Sequence, residues 1–337
     1  MQTNHTPPLG GRGATGIKKI AIFRALQLGD MLCIIPAMRA LRYTYPTAHI
    51  TLLGLPWAKS FTERFSSYFD DFTHFPGFPG LPEQPFNAKE TVEFLSGMQG
   101  QFDLLLQMQG NGTVINPMME LFGARYTGGF YTPGDFAANT DYFMPYPNYG
   151  AEPERHILLM EHLGLPGNGN ELEFPLTPQD EADFARLQLP IEQKRYVCVH
   201  PGSRGAWRQW PTEHFAAIAD YCAGQGYTAV ITGTAGEMPI IEEVIGKMKH
   251  PAINTAGTTN LGAMGVLIKN ARMLVSNCTG VSHMASAFKT PSIVISMDGE
   301  PERWGPINKE IHRTINWLEQ PDFNVVFNEM VKLIQTA

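Results

Sequence analysis

The sequence predicts an α/β protein built from two doubly wound, parallel-sheet domains facing across a cleft, on three observations. Short apolar runs alternate with helix-period segments, the pattern of parallel βαβ units. The alternation begins near Ile17 and restarts near Arg195. The chain of 337 residues also exceeds what one hydrophobic core usually organises.

Taken in order, "MQTNHTPPLGGRGATG" (1–16) lacks the apolar stretch of a secretory leader and reads as a flexible tail. Strands are expected at 18–23, 49–53 and 103–107. The segment 31–45 carries Met31, Leu32, Ile34, Ile35, Met38 and Leu41 at helical spacing. Pro36 either kinks that helix or restarts it as a first-turn residue. Residues 70–90, "DDFTHFPGFPGLPEQPFNAKE", form a long Pro/Phe-rich loop, either functional or packed loosely over the core. "GLPGNGN" at 164–170 and the prolines after it mark a linker. Beyond it, "YVCVH" (196–200) is a buried strand and 212–224 a helix that Thr212 can cap, with Phe215, Ile218, Ala219 and Cys222 on one face. "YTAVIT" (227–232), a helix from about 237, "ARMLVSN" (271–277), a helix start at 279 and "PSIVIS" (291–296) follow. The divisions are therefore a tail (1–16), an N-terminal domain (17–165), a linker (166–194), a C-terminal domain (195–320) and a final helix (321–337) free to pack back on the N-terminal domain.

Composition narrows the function. Hydrophobic residues at 43% and charged residues at 17% fit a globular enzyme and argue against extensive disorder. A net charge of −7 argues against nucleic acid as the main ligand. No two of Cys33, Cys198, Cys222 and Cys278 lie within four residues of each other, so neither zinc-ribbon spacing nor a secreted disulfide framework is present. No apolar run approaches the roughly 18 residues that span a bilayer. A reduced, cytoplasmic setting is expected.

Open parallel sheets bind ligands beyond the carboxyl ends of their strands. Four such ends stand out: "QLGD" (27–30), "HPGSRGAWRQWP" (200–211), "TGTAGE" (232–237) and "SNCTGVSHMASA" (276–287). In the last, Thr279, Gly280 and Ser282 open a helix and expose backbone N–H groups, making either an ordinary cap or an anion site. Ser203, Arg204 and Arg208 add polar and cationic groups in a Gly-rich loop, the chemistry of a phosphate partner. Together the two loops read as a diphosphate clamp. His200 begins one loop, and His283, one turn into the helix, is a candidate donor to the ligand; each could equally be a packed histidine. No Walker A sequence, no G-x-G-x-x-G after a strand and no G-x-S-x-G elbow occurs, which disfavours a P-loop kinase, a nicotinamide oxidoreductase and an α/β-hydrolase. No D-x-D pair suggests a metal-held sugar nucleotide. For Asp30 two roles are open, a helix cap or a base aimed at a substrate hydroxyl.

Three blocks in register, "IAIFRALQLGDMLCIIPAMRALRYTYPTAHITLL", "VCVHPGSRGAWRQWPTEHFAAIADYCAGQGYTAVITGTAGE" and "LIKNARMLVSNCTGVSHMASAFKTPSIVI", resemble glycosyltransferase family 9, the ADP-heptose:lipopolysaccharide heptosyltransferases. The resemblance implies a GT-B fold, with acceptor in the N-terminal Rossmann-like domain and nucleotide-sugar donor in the C-terminal one. It implies inverting transfer with neither cofactor nor metal. Carried over residue by residue, the family's Leu-Gly-Asp turn falls on Leu28, Gly29 and Asp30, with Asp30 as the base and Gly29 at the acceptor turn. The basic residue before x-Trp-Pro falls on Arg208, as diphosphate ligand, with Ser203 and Arg204 assisting. The Asp-Thr-Gly-x-x-His block falls on Cys278, Thr279, Gly280 and His283. Here the sequence departs, because Cys278 stands where the family has the Asp implied to contact the donor sugar, and a thiol is a poor substitute acceptor. Two functions follow. One is heptosyl or related transfer from an ADP-linked donor to a glycan, lipopolysaccharide-core, lipid-linked or small-molecule acceptor, with peripheral contact at the cytoplasmic face of the inner membrane. The other is a catalytically impaired nucleotide-sugar-binding protein on the same fold.

Overall fold

The structure, a computed structural model, describes Leu9 and residues 16–336; the rest of the tail expected at 1–16 lies outside the described residues. The chain divides into two compact units, Met1–Asn170 and Glu171–Ala337.

In the first unit, strands β1 (Lys19–Phe23), β2 (His49–Gly54), β3 (Asp71–His74), β4 (Leu104–Gln107), β5 (Tyr126–Tyr131) and β6 (Phe143–Pro145) form a parallel sheet in the order β3-β2-β1-β4-β5-β6. Ile20 through Phe23 are all fully buried, as in a strand covered on both faces, which is why it reads as an apolar run rather than an alternation. The order reverses between β1 and β4, and Phe23 pairs with both Leu53 and Gln107. The loops leaving β1 and β4 therefore emerge side by side at the switch point, where such sheets hold ligands.

Pro36 restarts a helix rather than kinking one. Leu28–Cys33 is a short helix, Ile34 breaks it, and Ile35–Thr44 follows with proline in its first turn, where no N–H is missed. The Pro/Phe-rich loop is shorter than expected, because β3 occupies 71–74 and a helix begins at Ala88. Phe75 is core, meeting Phe23 edge-to-face at 4.9 Å, and Phe78 and Leu81 pack over the same cluster.

The second unit repeats the topology. β7 (Tyr196–His200), β8 (Thr228–Ile231), β9 (Ala252–Asn254), β10 (Met273–Asn277), β11 (Ser292–Ser296) and β12 (His312–Asn316) lie parallel in the order β12-β11-β10-β7-β8-β9. Its switch point lies between β7 and β10, where His200 pairs with Ser276. The two loops that begin at Pro201 and Cys278 thus start next to each other.

Three details differ from the sequence reading. Part of the stretch assigned to the linker is the helix Pro178–Arg186, capped by Thr177, which accepts from Asp180 N at 3.2 Å. It packs on the helix Leu261–Asn270, where Gly262 leaves room for the Asp180 side chain. Thr212 is the first residue of its helix, not the cap; its hydroxyl donates to Glu243 Oε1 at 2.6 Å. The final helix, Phe323–Thr336, puts Val326, Met330, Leu333 and Ile334 into the second unit's own core.

Candidate functional site

The turn after β1 is held by a buried cation. Arg24 has no exposed surface; its Nε donates to the Asp30 carbonyl oxygen at 3.0 Å and its Nη1 to the Met108 carbonyl. Its Nη2 lies 3.6 Å from Glu152 Oε1. Glu152, equally buried, accepts from Tyr146 OH at 2.8 Å and sits 3.4 Å from His156 Nε2. Gln109 Oε1 accepts the Ala25 N–H at 2.7 Å, which ties the β4 loop to the β1 turn. A buried charge is tolerated only when paired and hydrogen-bonded in this way. Neither Arg24 nor Glu152 was marked from the sequence. An arginine directly after an apolar strand was the available signal; its acidic partner lies far along the chain.

Asp30 is half-buried at the third position of the helix Leu28–Cys33, and Gly29 at the second. The cap position belongs to Gln27, which makes no side-chain cap bond. Burial pushes the Asp30 carboxyl above the ordinary aspartate range; the Arg24 guanidinium opposes this, Glu152 adds to it, and the N–H groups of Gln27 and of Asp30 itself pull down. The net rise makes Asp30 a better proton acceptor than a solvated aspartate.

In the second unit the two loops at the switch point are stitched by Asn277, which is fully buried. Its Nδ2 donates to the carbonyls of Pro201 at 2.7 Å and Gly202 at 3.3 Å, and its Oδ1 accepts from Trp210 N at 2.9 Å. Trp210 is core, 5.1 Å from Phe215 and 5.4 Å from Trp317 between ring centroids. The loop 201–211 is therefore anchored at both ends. Sequence reasoning missed Asn277, whose only signal was a polar residue closing an apolar strand.

Arg208, partly exposed, uses Nη2 twice: toward the Cys278 carbonyl at 3.3 Å and in an ion pair with Asp298. Cys278 is 5% exposed, its backbone N–H continues the sheet to Ile295, and its thiol points to the Trp304 carbonyl at 3.7 Å. Thr279 is the extended N-cap of the helix Gly280–Phe288 and makes no side-chain cap bond. The hydroxyls of Ser203 and Thr279 are buried and have no hydrogen-bond partner among the described residues. A buried hydroxyl left unpaired costs about 1–3 kcal/mol, so a bound acceptor group is the natural complement of both. Ser282 instead closes locally, its hydroxyl donating to the Thr279 carbonyl at 2.7 Å. The structure thus brings Arg208, Cys278 and Thr279 together, with Ser203 in the stitched loop. His283 is buried in the first turn of the same helix, while Arg204 is exposed to solvent. His200 is buried and shares a hydrogen bond of 2.9 Å with Thr232, the packed alternative for that residue. Burial lowers its pKa, with Glu237 opposing.

Among the described residues, no group of three or more His, Cys, Asp or Glu side chains is placed to hold a metal ion, and no helix is long and apolar enough to cross a membrane.

The family model described as glycosyltransferase family 9 (heptosyltransferase) matches residues 153–330. Lipooligosaccharide heptosyltransferase 2 of Haemophilus ducreyi is 23% identical over 309 residues, covering 87% of each chain. Lipopolysaccharide heptosyltransferase 2 of Escherichia coli is 25% identical over 173 residues, 46% of this chain and 48% of that one. Among solved structures, a family 9 glycosyl transferase from Veillonella parvula superposes with a TM-score of 0.74 at 16% identity, over 95% of this chain and 98% of that one. The E. coli ADP-heptose heptosyltransferase II gives 0.73 at 18% identity, over 95% and 99%. At these identities the structures speak for the fold alone, two Rossmann-like units of the GT-B class.

Proposed function

The chain belongs to glycosyltransferase family 9, the heptosyltransferases, and from that premise we propose that it moves heptose from ADP-heptose to a lipopolysaccharide-core acceptor with inversion, Asp30 acting as the base. The acceptor hydroxyl attacks the anomeric carbon as the bond from that carbon to the diphosphate oxygen breaks. The proton passes to Asp30, and ADP departs with the electron pair. Negative charge grows on the leaving diphosphate, which needs fixed donors. Arg208, the hydroxyls of Ser203 and Thr279, and the N–H groups opening the helix Gly280–Phe288 are the candidates, with Arg204 and His283 in secondary roles. The observation that carries this reading is the pair of unpartnered buried hydroxyls, one in each of the two loops that Asn277 joins.

Two solved structures of one relative supply the donor by analogy. An E. coli heptosyltransferase was solved with ADP and again with ADP-2-deoxy-2-fluoro heptose. The acceptor comes from the names of the Haemophilus and E. coli proteins. In this reading the work is done at the cytoplasmic face of the inner membrane, where a lipid-linked acceptor lies. The domain roles follow from the same reading: the unit bearing Asp30 serves the acceptor and the unit bearing Arg208 the donor.

A second reading is nucleotide-sugar binding without turnover. It is favoured by Cys278, whose thiol is turned to the Trp304 carbonyl. Incubation with ADP-heptose and a heptose-deficient lipooligosaccharide core separates the two: ADP release and a heavier acceptor by mass spectrometry support transfer, whereas ADP binding with neither product supports the second reading.

A further inference from the structure

From the contacts of a residue that the proposed chemistry does not use, we infer that Asp298 is a positioning residue of the donor site and acts through Arg208. The inference rests on the transfer reading above. Asp298 lies just beyond β11, the neighbour of β10 in the sheet, with its side chain 9% exposed. Its carboxylate is anchored from its own loop: Oδ1 accepts from Ser296 Oγ at 2.7 Å and from the Glu300 N–H at 3.2 Å. Oδ2 takes Arg208 Nη2, the nitrogen that also meets the Cys278 carbonyl. Arg208 Nε and Nη1 make no hydrogen bond among the described residues.

That division gives the site its direction. An unrestrained arginine side chain carries about 2 kcal/mol of rotamer entropy. Here one nitrogen is spent on a fixed carboxylate and a fixed carbonyl, which sets the plane and rotation of the guanidinium. The remaining N–H groups are left for an anionic oxygen above the turn at 278–280. The same carboxylate weakens the net attraction for a bound diphosphate, since a negative group stands beside the cation. Asp298 therefore trades ground-state affinity for an Arg208 already aimed at the charge that develops on the leaving group, which raises turnover rather than binding.

The test compares the wild type, Asp298→Asn, Arg208→Ala and the double variant. ADP affinity is measured by calorimetry and turnover with ADP-heptose and heptose-deficient lipooligosaccharide core. In Asp298→Asn, ADP should bind as tightly as in wild type or tighter, while kcat falls about 10- to 100-fold through lost orientation. In the Arg208→Ala background the same change should cost less than about 2-fold, because a residue acting through Arg208 has nothing left to position. Full wild-type kcat in Asp298→Asn, or an undiminished loss in the double variant, overturns the inference. Should Asp298→Asn fold poorly, Ser296→Ala loosens the carboxylate more gently and must shift kcat in the same direction without weakening ADP; an unchanged kcat there counts against the proposal equally. A wild type that binds no ADP refutes the transfer reading instead. A wild type that binds ADP but transfers nothing supports the binding-only reading and removes the ground for a positioning role.

Discussion

Arg24 binds the backbone of the residue whose side chain it charges: its Nε donates to the Asp30 carbonyl at 3.0 Å, and its positive field opposes the burial that raises the Asp30 carboxyl. One cation thus fixes the turn and limits how far the carboxyl rises. Glu152, 3.6 Å from the same guanidinium, holds that cation in place and pushes Asp30 up again.

Asp30→Asn keeps the shape and removes the base. Turnover should fall by about 10²–10⁴-fold, with ADP affinity unchanged. The variant should also gain stability relative to wild type as pH rises. A carboxyl whose folded pKa is raised stabilises the fold while it is protonated, and that stability is lost as pH rises through the folded value. Above the folded value the ionised Asp30 is a cost that asparagine removes. Melting temperatures across pH 4–8 check this: the gain should shrink toward the acid end. Wild-type turnover in Asp30→Asn would leave the residue only its place in the helix start.

Arg208→Ala should weaken ADP binding roughly 10- to 100-fold, the scale of a hydrogen bond to a charged group, and slow transfer with it. Arg208→Lys should recover part of the affinity, because it restores the charge without the planar guanidinium whose Nη2 meets both Asp298 and the Cys278 carbonyl. Titration of each variant with ADP reads the difference; equal affinity in wild type and Arg208→Ala would show the clamp to be elsewhere.

Cys278→Asp should shift donor preference toward ADP-heptose. The thiol, 5% exposed, is a weak acceptor, and a carboxylate there offers two strong ones. The same change brings a second acid beside the Arg208–Asp298 pair. A panel of nucleotide-sugars ranked by kcat/KM for wild type and variant decides it. An identical ranking in a folded variant means that position 278 does not contact the sugar.

His312, buried at the start of β12 and hydrogen-bonded to Ser292 at 2.8 Å, has its pKa held down to about 4 by burial, helped by Lys309 and Arg313. The unfolded chain binds this proton near pH 6.5. Stability is therefore complete above that value and lost as pH falls toward about 4. The full loss is roughly 3 kcal/mol by that shift. His312→Gln should flatten the acid side of a denaturation-versus-pH curve; a slope identical to wild type below pH 6 would remove His312 as the cause.

The sequence alone determined the strands at the centre of each sheet and the loops that follow them. Strands such as β1, β7, β10 and β11 are buried on both faces, so their apolar runs stand out without any knowledge of neighbours. The edge strands β3 and β9 left weaker traces, being short and partly exposed, and β5 hides behind Gly128 and Gly129. Asp30, Ser203, Arg208 and Thr279 stood out as candidates because polar residues in the loops after such strands fall where parallel sheets present ligands. What held them was not readable. Arg24 with Glu152, Asn277 across to Pro201 and Trp210, and Arg208 with Asp298 are pairs 67 to 128 residues apart in the chain, or more loosely spaced than any local pattern. Local spacing reports periodicity and turn chemistry. Only the tertiary structure brings such partners within hydrogen-bond reach, because the parallel sheet order, and not the order of the chain, decides which strand ends become neighbours.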